Sequence, residues 1–469
     1  MKRIYSGGRL LLLGVLVGCS VPAVAQKAPS LDGPWNGTLQ VPTNPTQLII
    51  SIREPAQASR TASLSVPKQK VNGLTFSGVE MQGDSLILRS DFLGVRYAAR
   101  LSADGRQLSG TWKQNADKWP LTLDRGLPAA GPPPKRPQDP VAPLPYREQE
   151  VSFQNPRSTQ TLAGTLTLPA GKGPFPAVVL VSGSGPQDRD GTILDHHPFR
   201  VLADYLTRRG IAVLRFDDRG TGKSQGSFPT ATTTDFLTDA QAALAFLRTQ
   251  PGIQPKRVGM IGHSEGGTIA LLAGAQPQPP AFIVSLAGVG VSGSELLVRQ
   301  QSDLLRTAGL DTVHLNQVRR TQQQILQIIA TTPDNPPAIA RMVPLLKQVS
   351  PGVTESALTA MATQMTGPWY RHFLTLNPQP ALAKVKAPVL ALNGTKDLQV
   401  AADLNLAAIE QGLKAGGNRD VTVQQLEGLN HLLQTAKTGL PSEYGQLDET
   451  MSPSALQIIG NWIAARVKR

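Results

Sequence analysis

Residues 258–270 read Val258-Gly259-Met260-Ile261-Gly262-His263-Ser264-Glu265-Gly266-Gly267-Thr268-Ile269-Ala270. This stretch passes from a short apolar run, typical of a buried strand, through a glycine-rich turn into a helical pattern. Small residues on both sides of Ser264 let a strand and a helix approach closely, which leaves the serine hydroxyl projecting from the edge of a sheet. We therefore predict a strand–turn–helix unit with Ser264 as a candidate nucleophile.

The pattern Gly-x-Ser-x-Gly is weak evidence by itself, because the chain contains it again at Gly222-Lys223-Ser224-Gln225-Gly226. Ser224 follows a polar loop and leads into Pro229, so no helix begins at it. Its Gly-Lys-Ser end is similar to a phosphate-binding loop, but the first glycine of that motif is replaced by Asp217, which would repel phosphate. Context therefore favours Ser264 and argues against a nucleotide site.

Strand-like runs recur on both sides of Ser264, at 148–154, 161–168, 177–182, 211–216, 257–261, 282–286, 389–393 and 421–426. Amphipathic helical stretches, such as 199–209 and 234–250, separate most of them. This alternation predicts an α/β fold with a mostly parallel sheet and helices on both faces. The alternation stops at about 290–386, where helical spacing without a clear strand predicts a helical cap inserted into the core.

A nucleophilic serine needs a base and a carboxylate that orients the base. Of the six histidines, His431 alone follows the last predicted strand. The others lie in the serine turn, at a helix start or in the predicted cap: His263, His196, His197, His314 and His372. Asp397 follows the penultimate strand, with Asp403 a weaker alternative on the following helix. The order Ser264, Asp397, His431 is the order of an α/β-hydrolase triad.

A tetrahedral oxyanion would need two backbone N–H donors. The amide of Glu265, at the predicted helix start, is one candidate. The other should come from the loop Ser182-Gly183-Ser184-Gly185-Pro186, where glycines let the backbone turn inward. We choose Ser184 with Gly185 as the alternative, and exclude Pro186 because it has no N–H.

Three motifs together resemble the EstD-type esterases of the α/β-hydrolase superfamily over residues 150–469. They are the segment 183–190 (Gly-Ser-Gly-Pro-Gln-Asp-Arg-Asp), the segment 212–220 (Ala-Val-Leu-Arg-Phe-Asp-Asp-Arg-Gly) and the segment 263–267 (His-Ser-Glu-Gly-Gly). The resemblance implies hydrolysis of carboxylic esters with short or medium acyl chains, without a metal or organic cofactor. Asp188, Arg189 and Asp190 belong to the family pattern, and two roles stay open for them: holding the oxyanion loop or lining the entrance.

Residues 26–125 show short alternating runs separated by turn signals and predict a small all-β accessory domain. Its three tryptophans, Trp35, Trp112 and Trp119, could stack on sugars, but we expect them in the core. Residues 126–146, including Pro132-Pro133-Pro134, predict a proline-rich linker. The α/β-hydrolase domain would then span 147–469.

The first residues resemble an export signal. Lys2, Arg3 and Arg9 accompany the apolar run 10–17, and Ala23-Val24-Ala25 matches a cleavage site, which predicts a signal peptide at 1–25. Leu16-Val17-Gly18-Cys19 also resembles a lipobox, with Cys19 as the lipidated residue and the route to a membrane anchor. Both hypotheses predict export, to the periplasm or the extracellular space.

The amino-acid composition indicates a globular protein and argues against nucleic-acid binding. With 40% hydrophobic and 17% charged residues the chain can bury a large core, and its net charge of +13 lacks the basic runs typical of nucleic-acid binding. We expect a carboxylesterase-type serine hydrolase acting on a small-molecule ester. The alternatives are a serine peptidase, an exported acetyl esterase acting on an acylated glycan, and a non-catalytic binding protein on a hydrolase scaffold. The sequence does not predict an oligomeric state.

Overall fold

The computed structural model of the protein describes residues 30–41, 45–54, 60–67, 71–90, 94–114, 117–128, 136–350, 353 and 355–467. The predicted signal peptide, Cys19 and the middle of the predicted linker lie outside the described residues. Two separate sheets organise the rest of the chain, a nine-stranded one and an eight-stranded one.

The nine-stranded sheet is entirely antiparallel, in the order β4-β3-β2-β1-β9-β8-β7-β6-β5. Its strands are β1 (Gly33–Leu39), β2 (Thr46–Arg53), β3 (Thr61–Val66), β4 (Val71–Thr75), β5 (Gly78–Gln82), β6 (Ser85–Ser90), β7 (Val95–Leu101), β8 (Gln107–Gln114) and β9 (Asp117–Arg125). Side chains alternate between buried and exposed along these strands, so one face of the sheet forms a core. The N-terminal part of the chain is therefore a large antiparallel β domain.

Several aromatic residues pack in the mostly aliphatic core of this β domain. Trp35 and Tyr97 are fully buried and Trp112 is 2% exposed, whereas Trp119 is half-buried. The indole N–H of Trp35 donates to the Leu31 carbonyl at 2.9 Å. The two most buried tryptophans are therefore packing residues, as their apolar surroundings require.

The eight-stranded sheet has the order β10-β11-β13-β12-β14-β15-β16-β17. Its strands are β10 (Arg147–Gln154), β11 (Thr161–Leu168), β12 (Phe175–Val181), β13 (Ala212–Phe216), β14 (Ile253–His263), β15 (Ile283–Leu286), β16 (Val389–Gly394) and β17 (Val421–Leu426). The first two strands form an antiparallel hairpin that joins β13, and the other neighbours are parallel. The sequence prediction of a mostly parallel α/β core is right.

Helices cover both faces of this sheet. They are α1 (Pro198–Arg208), α2 (Thr233–Thr249), α3 (Glu265–Gly274), α10 (Ala402–Ala415) and α12 (Pro453–Val467), and the short α11 (Pro441–Tyr444) precedes α12. Successive residues of β12 point to opposite faces: Val179 belongs to the apolar core shared with α2, α3 and α10, and Val178 to the one shared with α1 and α12. Each face of the sheet thus has its own apolar core.

Six helices lie between β15 and β16 within the described residues. They are α4 (Gly293–Thr307), α5 (Thr312–Thr331), α6 (Asn335–Val349), α7 (Glu355–Met365), α8 (Pro368–Thr375) and α9 (Gln379–Leu382). We call α4–α8 the inserted helices. They enclose a small core of their own, formed by Ile325, Ile329, Met342, Leu358 and Leu374.

The last part of the predicted linker is bound to the α/β core. Arg136 donates to the carbonyls of Leu194 and Leu447, and the Tyr146 hydroxyl donates to Asp204 at 2.9 Å. Along the described parts of the chain, helices are too short or too polar to cross a membrane.

Candidate active site

Ser264 occupies a strained turn between β14 and α3. Its backbone has φ 56° and ψ −123°, a conformation that costs a non-glycine residue on the order of 1–3 kcal/mol. The Ser264 amide donates to the Leu286 carbonyl of β15 at 2.8 Å, and its carbonyl accepts from the Gly267 amide at 2.9 Å. The neighbouring strand and the first turn of the helix thus hold the serine in this conformation.

The glycines around Ser264 are required by close backbone contacts. A Cβ on Gly262 would overlap the carbonyl of Gly266, and a Cβ on Gly266 would overlap the carbonyl of Val181 in β12. The sequence prediction of a tight strand–turn–helix unit at Ser264 is right in this respect.

Asp397 and His431 meet at the ends of the last two strands, as their positions in the chain predict. His431 Nδ1 lies 2.7 Å from Asp397 Oδ2, with side chains 6% and 0% exposed. The second oxygen, Oδ1, accepts from the amides of Gln399 and Val400, both at 2.8 Å. Because this fixed carboxylate accepts from Nδ1–H, the lone pair of the neutral ring is left on Nε2.

Ser264 and His431 line the same cavity. Among the described residues, no hydrogen bond joins the Ser264 hydroxyl to the His431 ring. Such a bond is commonly loose before substrate arrives and tightens in the reacting complex. Asp403, the weaker candidate for the acid, lies on α10, is exposed and accepts from Arg299 at 3.0 Å. The carboxylate that contacts His431 is therefore that of Asp397.

Glu265 and Ser184, whose backbone amides are the predicted oxyanion donors, both lie beside Ser264. Glu265 is the first residue of α3, where helical N–H groups have no partner within the helix. Ser184 and Glu265 both line the cavity, and within the described part of the chain neither backbone N–H donates elsewhere. Gly185, the alternative donor, adopts φ 93° and is not among the lining residues.

The carboxylate of Glu265 has a role that the sequence did not reveal. Glu265 is 2% exposed, and its oxygens accept from the hydroxyls of Ser184 at 2.7 Å and Thr233 at 2.5 Å. The indole N–H of Trp369 lies 3.1 Å from both oxygens. These donors belong to the loop after β12, to the start of α2 and to α8, so sequence spacing alone could not bring them together.

His263 also contacts the site, although its position in the serine turn argued against it as the base. Its Nε2 lies 2.8 Å from the His431 carbonyl, and the two rings are 4.8 Å apart between centroids. Since a carbonyl only accepts, Nε2 of His263 must carry the proton. Desolvation, and to a smaller extent the neighbouring His431, lowers the pKa of His263 to about 4. His263 is therefore neutral at pH 7 and supports the backbone of His431.

Ser224 has a structural role. Its hydroxyl donates to the Asp217 carbonyl at 2.7 Å and accepts from the Ala163 amide at 2.9 Å. Ser224 is only 9% exposed and is absent from the lining of the cavity. It ties the polar loop after β13 to β11.

The Asp188-Arg189-Asp190 segment points to the outer strands of the sheet. Arg189 pairs with Asp217 at 2.7 Å and with Glu150 at 2.9 Å, and Asp190 pairs with Arg215. None of the three residues of the segment lines the cavity with Ser264. Of the two roles left open by the sequence, the geometry therefore favours holding the loop that continues from Ser184.

The cavity beside Ser264 measures about 240 Å³ and is mostly apolar. Its apolar lining includes Phe199, Leu286, Val289, Leu296, Trp369 and Phe373. Gln187, Gln300 and Gln399 add uncharged polar groups, and Glu265 is the one acidic residue among the described residues that line it. The cavity therefore suits a small neutral group.

The model of the family described as X-Pro dipeptidyl-peptidase (S15 family) matches residues 159–418, more than half of the chain. The match includes Ser264 and Asp397 and ends before His431.

Two curated relatives are similar in sequence. Esterase EstD of Thermotoga maritima is 26% identical over 307 residues, which are 65% of this chain and 65% of EstD. The thiohydrolase aneE of Aspergillus aculeatus is 34% identical over 85 residues, which are 18% of this chain and 27% of aneE. The chain thus matches less than two thirds of the length of either relative.

Two of the solved structures that match this chain are described as follows. An esterase of Pyrococcus furiosus is 15% identical with a TM-score of 0.44, over 70% of this chain and 92% of that one. Est1E of Butyrivibrio proteoclasticus with bound ferulic acid is 14% identical with a TM-score of 0.41, over 68% and 100% of the two chains.

The two candidate serines give opposite predictions. Ser264→Ala should lower kcat/KM for p-nitrophenyl butyrate by about 10³-fold or more, because the change removes the candidate nucleophile. Ser224→Ala should retain most activity but lose about 1–3 kcal/mol of unfolding free energy, because the buried Ala163 amide loses its acceptor. Steady-state kinetics and urea unfolding measure both effects. Loss of activity in Ser224→Ala with retention in Ser264→Ala would overturn the assignment.

The lowered pKa of His263 predicts that the free energy of unfolding depends on pH. Between pH 6.5 and about 4 the unfolded chain protonates this residue while the folded chain does not, so the contribution of His263 to the free energy of unfolding falls as pH falls through this window. The variant His263→Gln keeps an N–H donor but does not titrate. The wild type should therefore lose more stability than the variant between pH 7 and pH 4.5 in urea unfolding. Parallel pH profiles would contradict the assignment.

Proposed function

We propose that this chain, which belongs to the X-Pro dipeptidyl-peptidase (S15) family, is a serine hydrolase that cleaves small, uncharged carboxylic esters. The observation that carries the proposal is the cavity where the strained Ser264 turn and the Asp397–His431 pair meet. A buried carboxylate, an oriented imidazole and a serine on a strand–helix turn are the parts that acyl transfer requires.

The geometry supports a two-step reaction. The Ser264 hydroxyl attacks the ester carbonyl while Nε2 of His431 accepts the hydroxyl proton, and Asp397 stabilises the resulting imidazolium. The negative charge on the carbonyl oxygen is bound by the amides of Ser184 and Glu265. Collapse of the tetrahedral intermediate breaks the bond to the alcohol, which takes the proton from His431. Water then attacks the acyl-serine with His431 again as base, which releases the acid and restores Ser264.

The lining of the cavity favours an ester over a dipeptide with a free amino terminus. An enzyme that removes a dipeptide from the start of a chain must hold an ammonium group, for which a carboxylate is the natural partner. Glu265 is the one carboxylate that the described residues offer in the cavity, and both its oxygens already accept hydrogen bonds. The similarity to esterase EstD points in the same direction.

The size of the cavity favours short or medium acyl chains. At about 240 Å³ it is smaller than the sites of drug-sized ligands, which span roughly 300–1,000 Å³. Two of the inserted helices contribute to its lining, α4 with Leu296 and Gln300 and α8 with Trp369 and Phe373. We infer that the inserted helices cap the site and set its substrate selectivity.

We extend the proposal to location. The basic and apolar residues at 2–17 support export, with the enzyme either released after residue 25 or anchored through Cys19. An acylated glycan would be an accessible substrate there. Of the three tryptophans on which glycan binding by the β domain would depend, Trp35 and Trp112 lie in its core and only Trp119 is partly exposed, so a small ester is the preferred substrate.

A substrate panel tests the proposed function. The chain should hydrolyse p-nitrophenyl acetate and butyrate and should turn over the palmitate ester far more slowly, because a long chain exceeds the cavity. It should release no p-nitroaniline from an Xaa-Pro anilide above the rate of the Ser264→Ala control. Cleavage of the anilide with a kcat/KM equal to that of the butyrate ester would instead establish a peptidase.

A further inference from the structure

The side chain of Glu265 forms hydrogen bonds with three parts of the molecule whose relative positions matter for the proposed reaction. Its two oxygens accept hydrogen bonds from Ser184 in the loop after β12, from Thr233 in the first turn of α2 and from Trp369 in α8. Hydrogen bonds to an ionised acceptor are shorter and roughly twice as strong as neutral ones. A single buried carboxylate at the start of α3 thus links the loop after β12, the first turn of α2 and the inserted helix α8.

The contact with Ser184 affects the relative position of the two proposed oxyanion donors. The backbone amides of Ser184 and Glu265 are the two proposed donors, and the carboxylate of one residue binds the hydroxyl of the other at 2.7 Å. The spacing of the two amides is therefore set by a hydrogen bond between their own side chains. Oxyanion stabilisation depends on donors that are already in place before the charge develops.

The contact with Trp369 connects Glu265 to the part of the cavity that would hold the substrate. The Trp369 ring lies parallel to Phe373, with centroids 5.0 Å apart and an angle of 14° between the planes, and both rings line the cavity. A second link between α8 and α2 is the hydrogen bond of His372 to Thr234 at 3.1 Å. A substrate group that displaces Trp369 would therefore act on the same carboxylate that holds Ser184.

We propose that Glu265 is a positioning residue that sets the geometry of the oxyanion hole and couples it to the aromatic face of α8. The proposal rests on the proposed function, because the oxyanion forms only if Ser264 attacks a carbonyl. It predicts that Ser184 and Trp369 influence the rate through a shared acceptor, although they lie on separate elements.

The variant Glu265→Gln is the direct test, because it keeps the size of the side chain and removes one acceptor oxygen and the charge. The indole of Trp369, which can only donate, lies 3.1 Å from both oxygens, so in the variant it competes with the Ser184 and Thr233 hydroxyls for a single acceptor. We expect kcat for p-nitrophenyl butyrate to fall about 10–100-fold with a smaller change in KM, somewhat less than the 10²–10³-fold typical of a lost oxyanion donor. Glu410→Gln, on the exposed face of α10 and paired with Lys414, is the matched control and should retain kcat.

A reversible trifluoromethyl ketone inhibitor separates positioning from general damage. Its Ki reports binding of a tetrahedral oxyanion, so Ki should rise in Glu265→Gln in proportion to the fall in kcat/KM. A twofold or smaller change of kcat, or a Ki that stays constant while kcat falls, would overturn the proposal. Failure of the wild type to hydrolyse any ester would instead refute the proposed function.

A double-mutant cycle covers the case in which Glu265→Gln does not fold. Ser184→Ala and Trp369→Phe each remove one donor from the carboxylate. If both act through Glu265, the loss of kcat in the double variant should be smaller than the product of the single losses. Losses that multiply would show independent roles and would contradict the coupling.

Discussion

Ser264 holds a left-handed backbone conformation in a turn where β14, α3 and the end of β12 pack closely together. Its amide is bound to the carbonyl of Leu286, and Gly262 and Gly266 have no room for a side chain. The packing of the apolar cores on both faces of the eight-stranded sheet offsets the free-energy cost of this strained conformation. The position of the hydroxyl, the start of α3 and the direction of the Glu265 amide all follow from the same turn.

Buried carboxylates organise the surroundings of that turn. Asp397 accepts two backbone amides and the His431 ring, Glu265 binds three donor side chains, and Asp217 binds Arg189 and the Lys223 amide. In each case these hydrogen bonds replace the hydrogen bonds with water that the carboxylate loses on burial. A buried charged group needs such replacement partners. Together they fix the orientation of the His431 ring, the loop that begins at Ser184 and the polar loop after β13.

Chain order and local pattern were sufficient to predict the α/β core, the turn at Ser264 and the encounter of Asp397 with His431. Strand periodicity and the glycines determine these features within a few residues of sequence, and parallel strands bring their carboxyl ends to one edge. The acceptor role of Glu265 and the support of His431 by His263 could not be predicted in this way. Both depend on donors separated by about 30 to 170 positions, as with Glu265–Thr233 and His263–His431.

Covalent labelling tests directly, without assuming a substrate, whether Ser264 is an activated nucleophile. A fluorophosphonate should modify the folded wild type once, and digestion followed by mass spectrometry should place the adduct on Ser264. Labelling should vanish in Ser264→Ala and persist in Ser224→Ala. A folded wild-type protein that stays unlabelled, or an adduct on Ser224, would contradict the account.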